Sequence, residues 1–158
     1  MDEKYLKNYL NEHFVYETNA LCYAKARLVE INESEGRKQD EINMALESFL
    51  FHSRNLIEFF YYDRDAKNYS RAFHFIGRGK WLEERPQKTK LIEEVKDRAN
   101  KEIVHLTYDR ILGTPPEKKW DWPDAFSDLL KVIKTFLDLL PEEYCGNGIN
   151  NLKEMLTS

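Results

Sequence analysis

The chain has 158 residues, with 24 Lys and Arg against 28 Asp and Glu, 33% charged and 13% aromatic residues, and a formal net charge of -4. These totals describe one globular domain, residues 1–158, large enough to bury a core without disulfide staples, rather than a disordered or membrane chain. The mild negative charge excludes non-specific duplex binding over the whole surface, because that affinity comes from neutralising many phosphates, but it leaves room for a local basic patch.

Apolar runs fall far short of the roughly 20 residues that cross a bilayer, and "MDEKYLKNYL" lacks the apolar stretch of a secretory signal. A cytoplasmic protein with no membrane partner is therefore expected. Cys22 and Cys145 form no Cys-x-x-Cys pair, so two reduced thiols are expected rather than a zinc site or a disulfide, and no metal or other cofactor is implied.

In chain order, the first helix is predicted over residues 3–31. Leu6, Leu10, His13, Glu17, Ala20, Ala24, Leu28 and Ile31 recur every three or four residues, and Gly36 follows as a stop. Asp40 is placed as the N-cap of a second helix over 41–62, with the stripe Ile42, Ala45, Leu46, Phe49, Ser53, Leu56, Ile57 and Phe60. Leu50, Phe51, Phe59, Tyr61 and Tyr62 lie off that stripe, so this helix is apolar around much of its circumference, as central or dimer-buried helices are.

From 63 to 86 the period fails, which predicts a long irregular connection with one short helix near 69–75. Lys and Arg outnumber Asp and Glu over 64–90, and Tyr69, Phe73, Phe75 and Trp81 are interleaved with them. Two readings stand: a platform that stacks bases and holds phosphates, or a solvated connection pinned to the bundle by Trp81 and Phe75.

Ile92, Val95, Ala99, Ile103 and Leu106 mark a third long helix, ended by Gly113, Pro115 and Pro116. Pro123 starts a fourth, carrying Phe126, Leu129, Leu130, Ile133, Leu137 and Leu140 and closed by Pro141; residues 149–156 add a short terminal helix. The expected fold is all-α: an antiparallel bundle of four main helices with a long irregular connection and a short C-terminal helix.

"RANKEIVH" puts Arg98 and His105 on one edge of the third helix, since seven residues turn the helix back to within about 20°. Imidazole exchanges protons near neutral pH, and guanidinium stabilises charge developing on a phosphate, so the pair suits metal-independent cleavage of RNA. The alternative is structural: Arg98 pairs with Glu94 and Glu102 one turn away, and His105 bonds a neighbouring helix. Glu102 and His105 also form one Glu-x-x-His, but no other histidine has a glutamate three residues before it, which excludes a di-iron bundle site.

Arg-x(4 to 6)-His is the signature of the HEPN helical ribonucleases, and "RANKEIVH" resembles its longest form, with Ala99 where that family usually has a polar residue. "ALESFLFHSRNLIEFFY" with "KEIVHLTYDR" also resembles a group of small uncharacterised bacterial helical proteins. These resemblances imply a homodimeric bundle with Arg98 and His105 as catalytic residues and RNA as substrate. Arg54 and Arg110 are then substrate-binding charges, and an antitoxin protein is the implied partner in a toxin-antitoxin or phage-defence setting. The rival expectation is a non-catalytic interaction protein that forms a homodimer or receives a partner helix on its apolar second helix.

Overall fold

The computed structural model describes residues 3–36, 38–64, 69–104 and 120–157. The described residues form an all-α fold with no strand among them. None of their helices is long and apolar enough to cross a membrane.

The first helical rod is built from α1 (Glu3–Tyr9), a π-helical turn (Leu10–Phe14) and α2 (Val15–Glu33). The wide π turn delays the apolar stripe by one residue. Phe14 and Thr18 therefore take the buried positions that regular spacing assigns to His13 and Glu17, and the stripe resumes at Leu21, Ala24, Leu28 and Ile31. Asn11 sits at the turn: its amide donates to the Lys7 carbonyl at 2.9 Å and the Tyr144 carbonyl at 3.1 Å, and its side-chain oxygen accepts from the Ile149 amide at 3.1 Å. A side chain that competes for a helix carbonyl is a recognised cause of a local break in the hydrogen-bond ladder. Gly36, at φ 81°, completes the turn after α2.

Helix α3 spans Gln39–Tyr61 and packs antiparallel to α2: Glu17 meets His52 and Asn55 at one end, while Arg27 meets Glu41 at the other. Its cap is Lys38, in extended conformation with no side-chain bond. Asp40 lies inside the first turn, where a carboxylate still complements the helix dipole. Leu50 and Phe59, off the predicted stripe, are core residues, whereas Phe51 is exposed.

The connection holds two short helices, α4 (Phe73–Ile76) and α5 (Arg78–Glu84), joined at Gly77, whose φ of 90° favours glycine. A helix end leaves carbonyls without partners, and this segment supplies them for α3. The Ala72 amide donates to the Phe59 carbonyl at 3.0 Å; the Trp81 indole and the Arg85 guanidinium donate to the Phe60 carbonyl at 2.9 and 3.1 Å. Trp81 is 0% exposed. The aromatics Phe73, Phe75 and Trp81 are thus buried supports, in line with the pinned reading, and Tyr69 alone of the four is exposed.

Helix α6 (Lys90–Arg98) starts at Thr89, whose hydroxyl accepts from the Ile92 amide at 3.2 Å, and continues as a second π-helical segment, Ala99–Val104. Helix α7 (Trp122–Leu139) carries Pro123 in its first turn, as expected, and α8 (Asn147–Thr157) is the terminal helix. A Cβ on Gly148 would stand 2.6 Å from the Asn11 carbonyl oxygen, so glycine lets α8 dock on the π turn. One buried cluster takes residues from α1 through α8. At its centre Phe136 meets Phe14, Phe59, Phe60 and Trp81 at ring-centroid distances of 5.1, 5.3, 5.7 and 5.9 Å.

Candidate functional site

A cleft of about 990 Å³ opens between the first helical rod, α3 and the segment at 69–71. That is the upper end of the range for ligand sites, about 300 to 1,000 Å³. The rod contributes Tyr5, Tyr9, His13 and Glu17; α3 contributes Arg54, Asn55 and Glu58; Tyr69, Ser70 and Arg71 close it. The π turn explains why polar groups line this wall, because it rotates His13 and Glu17 out of the core stripe.

The floor is a bonded polar chain. Glu17 lies 2.7 Å from Nδ1 of the buried His52 and accepts from the Asn55 amide at 3.2 Å, which fixes its carboxylate between α2 and α3. Arg54 is held by Glu58 one turn on, at 3.4 Å, and its Nε donates to the side-chain oxygen of Asn100. Asn100 belongs to the π segment that continues α6, so Arg54 ties the cleft to the helix that carries Arg98. Arg54 therefore lines the cleft, with Asn55 beside it.

Arg71 differs in kind. Its residue is 5% exposed, and its guanidinium lies between the rings of Tyr62 and Tyr69, 4.6 and 4.9 Å from their centroids. Tyr9 faces it with a phenol whose pKa is raised, chiefly by burial and next by the charge of Glu17, while Arg71 and a hydrogen bond with Ser70 pull the other way. Tyr9 is accordingly a neutral hydroxyl at physiological pH, able to donate or accept.

Arg98 lies at the end of α6 with its guanidinium 3.8 Å from the centre of the Trp120 ring. Glu94, a proposed partner in the structural reading, takes Lys90 at 3.4 Å. His105 and Arg110 lie outside the described residues, as does the Glu102 side chain. Among the described residues no group of three or more His, Cys, Asp and Glu gathers as a metal cage.

Sequence reasoning singled out Arg54 but not His13, Tyr9 or Arg71 as members of one site. The available signal was the pair of polar residues, His13 and Glu17, standing at stripe positions of an otherwise apolar helix face. Chemically the cleft offers a forked cation for phosphate, phenol rings for bases, and carboxylate and amide oxygens for hydroxyl or amine donors. No family model, curated protein or solved structure matches this chain.

Proposed function

We propose that the chain is a HEPN-like helical protein that binds single-stranded RNA in this cleft and cleaves it without a metal ion. The observation that supports the reading is the cleft itself, where Arg54, Arg71 and His13 share a wall system with Tyr5, Tyr9 and Tyr69. Proteins that take single strands combine cations along the backbone with aromatic rings on which bases stack. In this reading His105 is the acid and base, Arg98 stabilises the phosphate, and Arg54 and Arg110 hold the substrate. A toxin-antitoxin or phage-defence setting with an antitoxin partner belongs to the same reading by analogy of family.

The test is cleavage of tRNA and mRNA in EDTA by the wild type, His105→Ala and Arg98→Ala, with binding followed by fluorescence anisotropy. Loss of products in both variants with RNA still bound is expected; equal products from all three proteins would end the catalytic assignment.

A second reading, a non-catalytic homodimer or helix-binding protein, is favoured by one observation. Met44 and Phe51 on α3 are 71% and 47% exposed, and Tyr16 and Tyr23 on the adjacent α2 are exposed too. Phe51→Glu is then expected to lower the mass measured by light scattering. Phe59 is unsuitable for this test because it is buried.

A further inference from the structure

Burying a cation costs several kcal/mol unless an anion or a full set of hydrogen bonds compensates it. Arg71 has neither within the described residues. Its Nη1 reaches only the Ser70 carbonyl, at 3.4 Å, and its buried Nε finds no acceptor. None of the ion pairs found among the described residues uses it, in contrast with Arg54, which Glu58 holds. The rings of Tyr62 and Tyr69 stabilise the charge but do not consume its N–H groups. The carbonyl end of α3 lies close by, because the next residue, Ala72, donates to the Phe59 carbonyl, and its dipole offsets part of the burial. The unused donors remain, on a side chain that lines the cleft.

A phosphate matches these donors in chemistry: it carries a compensating charge and accepts from the guanidinium fork. The hydroxyls of Tyr9 and Ser70 line the same cleft and offer further donors. Farther along the cleft the lining turns acidic, with Glu17 and Glu58. Inorganic phosphate gains nothing there, whereas sugar hydroxyls and exocyclic amines donate to carboxylates, and an aromatic base finds Tyr5 and Tyr69.

We infer that Arg71, with the hydroxyls of Tyr9 and Ser70, forms a phosphate subsite that takes a phosphorylated nucleoside, with the sugar and base lying toward Glu17, Glu58 and the tyrosine rings. This deepens the RNA reading and rests on it only for the claim that the nucleotide is a unit of a strand rather than a free mononucleotide.

The experiment titrates the full chain with AMP, UMP, adenosine and inorganic phosphate by calorimetry, and with a single-stranded 12-mer RNA by fluorescence anisotropy, using the wild type, Arg71→Met and Arg71→Lys. A nucleotide is expected to bind at least tenfold more tightly than adenosine or phosphate. Arg71→Met should remove that margin, and Arg71→Lys should restore part of it, because lysine keeps the charge without the fork. Should Arg71→Met fail to fold, the 31P resonance of AMP with the wild-type protein decides: it shifts if the phosphate is the anchored group. No binding of either nucleotide, equal binding of AMP and adenosine, an unmoved 31P signal, or unaltered affinity in a folded Arg71→Met would overturn the subsite. The two ideas separate cleanly. RNA bound equally by wild type and Arg71→Met keeps the RNA reading and ends the subsite, while AMP bound through Arg71 with no affinity for the 12-mer keeps the subsite and ends the RNA reading.

Discussion

The connection between α3 and α6 carries two buried or half-buried arginines with opposite situations. The charge of Arg85 is saturated: it makes a two-pronged pair with Asp63 at 2.7 and 2.9 Å, donates to the Phe60 carbonyl at 3.1 Å, and lies over the ring of Tyr61. Arg71 lies deeper, between two tyrosine rings, and leaves donors unused beside a cleft. Both come from one basic, aromatic stretch, yet one ties the end of α3 to Asp63 and the other lines a cleft. Charge content alone does not separate the two; what separates them is whether the described residues already supply an anion.

The largest effect should come from removing the pin at the saturated end. Trp81→Ala leaves a cavity among Phe60 and Phe136 and strips a donor from the end of α3. Thermal or urea denaturation should show a loss of about 3–5 kcal/mol. If α4 and α5 were loosely attached, the loss would be far smaller, and the contrast between the two ends would fail.

Next in size is the wall that carries His13. Gly148→Ala forces a Cβ to 2.6 Å from the Asn11 carbonyl oxygen, which is backbone and has little room to give. A cost of about 1–3 kcal/mol in urea denaturation is expected from overpacking. Ligand affinity should fall as well, because the π turn that Asn11 organises is the same turn that brings His13 to the cleft.

The sharpest comparison is between Arg85→Met and Arg71→Met. The first breaks the pair with Asp63 and removes one donor from the Phe60 carbonyl, for a loss of about 1–3 kcal/mol. The second replaces a buried cation that has no anion among the described residues by an apolar side chain of similar length. Stability should stay within about 1 kcal/mol of the wild type, since lost contacts with Tyr62 and Tyr69 oppose the relief of burial. Equal losses in the two variants would show that Arg71 is structural after all.

The long helices were legible because their apolar spacing persists over many turns and ends at strong stops, Gly36 and Pro141 among them. The short helices α4 and α5 were not, because four and seven residues give no readable period, and their order comes from capping α3 across the fold. The π turns were equally hidden, since a single delayed residue looks like ordinary variation in spacing; only His13 and Glu17 at stripe positions betrayed the first of them. Arg54 came forward only through the resemblance of its segment, as an implied substrate-binding charge. Arg71 was one cation among several in its stretch, and only the folded chain decides which of them meets two tyrosine rings and, among the described residues, no acid.

The smallest expected effect tests the saturated end by pH. Tyr61 donates its hydroxyl to the Pro86 carbonyl at 3.1 Å, and burial pushes its pKa up to about 12, against the opposing pull of Arg85. The folded state therefore keeps this proton more tightly than the unfolded chain, whose phenol titrates near 10. The resulting stability is fully present below pH 10 and is lost as the pH rises toward 12. The half-exposed ring is screened by solvent, so the change amounts to about 1 kcal/mol at most. Denaturation across that range should fall more steeply for the wild type than for Tyr61→Phe, which has no proton to lose. In the Arg85→Met background the Tyr61 pKa should rise further, because a nearby cation that favours the phenolate is gone. If the pKa stays put, Arg85 does not reach Tyr61 electrostatically, and the saturated end is held by its pair with Asp63 and its bond to Phe60 alone.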